Sequence, residues 1–86
     1  MPEISRFFGI IIVIHYNEHG VPHFHAKYAG QRASFSIADL CLLEGHLPRR
    51  AAALVLEWAF EHRQELMVDW GLAKNREPLN PIPPLD

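Results

Sequence analysis

Residues 7–28, FFGIIIVIHYNEHGVPHFHAKY, contain the two segments on which the architecture turns. The first, Phe7 to Tyr16, is short, β-branched and aromatic, and it runs into the turn-forming NEHGVP, so it reads as a strand. Ile10 to Ile14 is apolar on both faces, which predicts a central place in a sheet. The second, HFHAKY, alternates: Phe24, Ala26 and Tyr28 lie on one side, His23, His25 and Lys27 on the other. Such a strand buries one face and presents its imidazoles and ammonium on the other. The register between the two strands then places His15. If His15 opposes His23, Val13 opposes His25 and three histidines share a face; if Tyr16 opposes His23, His15 points away. Both registers are open, because no sequence rule sets the pairing across so long a loop.

Working outward, Gly30 marks a turn, and RASFSI alternates again, with Ala33, Phe35 and Ile37 against Arg32, Ser34 and Ser36. A short further strand fits around Leu42 to Glu44, closed by Gly45, giving an antiparallel meander of three or four strands. Pro48 suits the first turn of a helix, helix formers continue to about Lys74, and Asn75 with Pro78 supplies a stop. At about 100° per residue, Arg50, Glu57, Glu61 and Gln64 form one stripe. Ala52, Val55, Leu56, Ala59, Leu66, Met67 and Trp70 form the stripe expected to cover the sheet. Leu54 and Trp58 fall beside the polar stripe and Arg63 inside the apolar one. Either the helix bends near His62, where EHRQE interrupts it, which is the preferred reading, or Leu54 and Trp58 form an exposed patch for a partner. The proline-rich end, PLNPIPPLD, is expected to run extended along the surface. The fold class is therefore α+β: a three- or four-stranded antiparallel sheet packed against one long or broken C-terminal helix. It is read as a single domain, 1–86, with a tail at 76–86.

Eighty-six residues, 49% apolar and 21% charged, suffice for one small core and exclude a disordered chain. A formal charge of -2 provides no global basic field, so contact with RNA or DNA requires a local patch. The single cysteine, Cys41, has no internal disulfide partner and, among leucines 40, 42 and 43, is expected to be a small buried hydrophobe. The longest apolar run, residues 7–14, is far below the roughly 18 residues needed to span a bilayer. Arg6 before that run lends some look of a signal peptide, but no small-residue cleavage site follows, so a cytoplasmic location without membrane contact is expected.

The histidines allow three kinds of chemistry. His23 and His25 leave one face of a strand, so the pair can act as acid and base near neutral pH. Lys27 shares that face, and Arg49 with Arg50 at the helix start adds charge for a phosphate if that end lies nearby. His19 in the loop can join His23 and His25 around zinc or another divalent transition metal, with Glu18 as a ligand or an orienting group. The spacing H-x3-H-x3-H-x-H matches no standard structural zinc arrangement, and the expectation is no cofactor. The third reading is a solvated or partner-binding rim. Glu57 and Glu61 are read as solvent-facing, and the ordinary reading of Tyr16, Phe24, Tyr28, Trp58 and Trp70 is as packing groups.

Taken together, MPEISRFFGIII, NEHGVPHFHAKY, LEGHLPRRA, LVLEWAFEHRQEL, DWGLA and IPPL resemble a small bacterial family, domain of unknown function 4160. The resemblance runs from Met1 to Leu85. It places the family's His-Phe-His element on His23, Phe24 and His25, its loop histidine on His19 and its helix motif on Glu57 and Trp58. At His15 the chain departs from the pattern, where an aromatic is more usual. The resemblance implies no established activity, but it does imply a second small protein encoded nearby, in pairs of toxin–antitoxin type. Two functions follow as expectations. The leading one is a partner-binding protein of such a pair, using Leu54 and Trp58, with a homo-oligomer also open. The other is a small ribonuclease with His23 and His25 as acid and base and Lys27, Arg49 and Arg50 on the phosphate, RNA being its partner.

Overall fold

The computed structural model describes residues 2–86; Met1, where the expected domain begins, lies outside the described residues. The strands are β1 (Glu3–Phe7), β2 (Ile10–Val13), β3 (His23–Tyr28), β4 (Gln31–Ser36) and β5 (Leu42–Gly45). They pair in sequence order, each antiparallel to the next. Two helices follow, α1 (Arg49–Glu61) and α2 (Arg63–Lys74). The α+β class and the meander are as expected, but the sheet has five strands rather than three or four, and the helix is two pieces.

The extra strand comes from the run read as one segment from Phe7 to Tyr16. The chain reverses at Phe8 and Gly9, both at positive φ (49° and 79°), the backbone twist that suits a two-residue hairpin. Phe7 thus closes β1 while Ile10 opens β2 and pairs with it. An apolar Phe-Gly corner carries none of the Asn-Gly or Asp-Gly chemistry that makes such turns visible in sequence.

One face of the sheet is sealed. Ile10, Ile12, Ile14, Phe24, Ala26, Phe35 and Ile37 are buried there beneath the helices. Ala51, Val55, Trp58 and Ala59 are the buried residues of α1, and Leu66, Asp69, Trp70 and Ala73 those of α2. At about 100° per residue all eight lie within about 60° of Val55, so one stripe runs through both helices. The expected bend is present, as His62 takes φ -116° and ψ 25° between the helices, but the stripe keeps its phase across it. The expected stripe was rotated: Met67 is exposed, and Trp58 is fully buried.

Trp58 is therefore corrected from candidate patch to core. Its ring packs against Phe7 and Phe24 at centroid distances of 5.4 and 6.1 Å, and its Nε1–H donates to the Pro83 carbonyl at 2.8 Å. That bond also ties the tail, which is mostly exposed and neither helix nor strand, to the core. Ile82 is buried, its N–H donates to the Ile4 carbonyl on β1 at 2.8 Å, and the Asn80 N–H donates to the Asp69 carboxylate at 2.9 Å. Cys41 is exposed rather than buried, because it enters β5, a sheet-edge strand whose four residues are all exposed. Among the described residues, no helix is long and apolar enough to cross a membrane.

Candidate functional site

The pairing of Val13 with His25, with Ile11 opposite Lys27, selects the first of the two registers. His15, just past β2, thus comes to the face that carries His23, His25 and Lys27. Across β3 and β4, His25 faces Ser34 and Lys27 faces Arg32, and Ser34 in turn faces Glu44 of β5. The result is a groove of about 320 Å3 on the face away from the helices, lined by His15, His25, Lys27, Arg32, Ser34 and Glu44.

One carboxylate organises the imidazoles. Ionised Glu18 has no proton to give, so the ring N–H groups donate to it. His25 Nε2 lies 2.6 Å from Glu18 Oε1, and His23 Nε2 lies 3.2 Å from the same oxygen. His23 also donates from Nδ1 to the Val21 carbonyl at 2.8 Å, and its ring sits 5.0 Å from that of Trp70. The His15 and His25 ring centroids are 4.6 Å apart. Burial pushes the Glu18 pKa up, but hydrogen bonds from His25 and His23, and the positive charge of those rings when protonated, outweigh it and hold Glu18 below the usual carboxylate value. Burial and the charge of His25 lower the His15 pKa, against a smaller opposing pull from Glu18.

The loop that supplies Glu18 is tied to the far end of the chain. The Tyr16 hydroxyl donates to the Glu77 carbonyl at 3.1 Å, and the Arg76 guanidinium donates to Asn17 Oδ1 at 2.7 Å. Asn17 takes φ 64°, a conformation that asparagine tolerates better than most residues.

The structure gathers some of the expected residues and separates others. His23, His25 and Lys27 share the open face. Arg49 and Arg50 are exposed at the start of α1 and do not line the groove. Arg50 borders a different depression with Leu54, Phe8, Ile10 and Tyr28, and Ile10 belongs to the covered face. The cation that joins Lys27 is Arg32, whose alternation with Ala33 in the sequence marks only a polar stripe. Gly30 is its sequence signal, and it is the Ala29-Gly30 corner, both at positive φ, that forms the tight hairpin setting Lys27 opposite Arg32. The side chains with metal-ligating atoms that converge also differ from the expected group of His19, His23 and His25. The ligand atoms that converge, within 4.8 Å of one another, belong to His15, Glu18 and His25, while His19 is exposed and outside that group.

A comparison with protein-family models matches residues 9–71 to a domain of unknown function (DUF4160). Comparison with curated proteins and with solved structures found no match. The matched segment reaches from the Gly9 corner through β2 to β5, the groove and α1 to Gly71 in α2, well over half of the chain, and the protein belongs to the DUF4160 family.

Proposed function

We propose that the protein binds RNA through the groove on its open sheet face and cleaves the phosphodiester by proton transfer, with His15 and His25 as the proton-carrying groups. The observation that carries this reading is the Val13–His25 register, which sets two imidazoles beside Lys27 and Arg32 along one groove. Attack by a ribose 2′-hydroxyl needs one group to take its proton and a second to protonate the departing 5′-oxygen. His15, with its pKa lowered, is the neutral imidazole suited to the first task. His25, oriented by Glu18, suits the second. His23 is a positioning residue in this scheme, because both of its ring nitrogens are engaged, by Val21 and Glu18. Lys27 and Arg32 supply the local positive charge that a chain of net charge -2 lacks overall.

The test is incubation of the purified chain with a fluorescent single-stranded RNA oligonucleotide in the presence of a chelator. Products ending in a 2′,3′-cyclic phosphate are expected. His25→Ala should slow their formation at least about 100-fold, and a Lys27→Ala, Arg32→Ala double variant should weaken RNA binding more than about tenfold. RNA left intact by the wild type rejects the reading.

A second reading, the partner-binding member of a toxin–antitoxin pair acting in the cytoplasm, is favoured by β5. That strand pairs with β4 on one side and, among the described residues, with no strand on the other, and it exposes Leu42 and Leu43. An unpaired edge with two leucines offers a template for a strand of a small neighbouring protein or of a second copy. Leu43→Lys should abolish co-purification of the partner encoded nearby; no complex with the wild-type chain counts against this reading.

A further inference from the structure

We infer that His15, Glu18 and His25 form a binding site for one divalent transition-metal ion of the zinc class. The inference goes beyond the proposed cleavage and does not depend on it, although the two share side chains. Three potential ligand atoms, two imidazole nitrogens and one carboxylate oxygen, lie within 4.8 Å of one another, and all three residues are half-buried. Zinc held tetrahedrally at about 2.0–2.2 Å from nitrogen and oxygen sets its ligand atoms about 3.4 Å apart. The His25–Glu18 hydrogen bond, now 2.6 Å, therefore has to open by about 0.8 Å while the other contacts close. Side-chain rotation covers such a distance without moving the sheet.

The donor set selects the class of ion. Magnesium and calcium take oxygen ligands, whereas two imidazoles and a carboxylate suit zinc, nickel, copper or ferrous iron. His25 is on β3, His15 directly follows β2, and Glu18 is in a loop tied to the end of α2 through Tyr16 and Asn17, so all three ligands stand on anchored backbone. His23, hydrogen-bonded to Glu18, holds the carboxylate in place much as outer groups orient ligands in known metal sites. Three protein ligands leave a fourth position for water or substrate, and His15 and His25 both line the groove. Lys27 and Arg32 in that groove would hold an anion beside the metal.

Calorimetric titration of the full-length, tag-free chain with zinc chloride, with native mass spectrometry for stoichiometry, tests the site. One zinc per chain is expected, with no heat from magnesium chloride. His15→Ala and Glu18→Gln should each weaken zinc at least about tenfold, and His19→Ala should leave it unchanged. Cobalt(II) bound by the wild type should give a visible ligand-field spectrum, a readout that needs no variant to fold. Failure to bind zinc, wild-type affinity in both ligand variants, or loss of binding in His19→Ala overturns the site. The Lys27→Ala, Arg32→Ala variant separates the two proposals, because it should keep its zinc while losing RNA. Zinc should also slow RNA cleavage, since it takes the lone pair of His15 and displaces the proton that His25 would donate. Faster cleavage with zinc would overturn the metal-independent chemistry and leave the metal site standing.

Discussion

The covered and open faces of the sheet are built from alternate residues of the same strands, yet they are held in different ways. On the covered face Ile12, Phe24 and Phe35 meet Val55, Trp58 and Leu66 in a single buried cluster. Its stabilisation is non-directional and roughly proportional to the apolar area removed from water, so it is shared among many side chains. On the open face His15, His23 and His25 remain partly exposed, and His23 and His25 are held by one oxygen of Glu18. Packing makes the first face stable, and a few directional bonds make the second specific. A substitution on one face should therefore register in folding and on the other in function.

The largest expected effect is Trp58→Ala, which removes the biggest fully buried side chain together with its bond to Pro83. It should cost about 3–5 kcal/mol in urea denaturation, while His25→Ala should stay within about 1 kcal/mol. Equal losses would mean that the two faces are not separable in this way.

Gly45 tests the join between β4 and β5. It takes φ 80°, and a Cβ placed there would lie 2.2 Å from the Arg32 carbonyl oxygen and 2.9 Å from the Ala33 Cα. Both neighbours are backbone, so Gly45→Ala should cost at least about 2 kcal/mol. The His46 N–H, which donates to the Arg32 carbonyl, should then exchange with solvent much faster. Unchanged exchange would show that β5 yields locally without leaving the sheet.

The smallest effects are expected in the pH dependence of stability, where one carboxylate from each region acts with opposite sign. Glu18 titrates lower when folded than unfolded, so its contribution is present above the unfolded pKa of about 4.3 and is lost as pH falls through the folded value. Asp69 is fully buried beneath the tail, and burial raises its pKa, opposed by the Asn80 N–H and aided by the charge of Glu65. Its contribution is present below the unfolded pKa of about 3.9 and is lost as pH rises through the folded value. Urea midpoints measured across acid pH should lose part of their acid limb in Glu18→Gln. In Asp69→Asn they should lose part of the decline toward neutral pH. A profile unchanged in both variants would show that neither carboxylate is coupled to folding.

The alternation of HFHAKY and RASFSI depends only on neighbouring residues, so the two faces of β3 and β4, and the shared side of His23, His25 and Lys27, were legible in the sequence. The class of the fold and the break near His62 were legible for the same reason, being local patterns of apolar period and polar interruption. The hairpin at Phe8-Gly9 was not, because its residues carry no polar turn signal. Nor was the burial of Trp58, since a helix pattern of mixed alanines and leucines admits more than one stripe, and only the sheet and the proline-rich tail show which is covered. The placement of Arg32 rather than Arg49 or Arg50 beside the histidines is likewise a product of strand pairing. Above all, the position of His15 depends on which residue meets which across the nine residues between β2 and β3. Bonds from that loop reach Arg76 and Glu77, about sixty positions away. Contacts of that range come from packing the whole chain, which is why the shared face of His25 and Lys27 is readable in sequence and the groove they form with His15 and Arg32 is not.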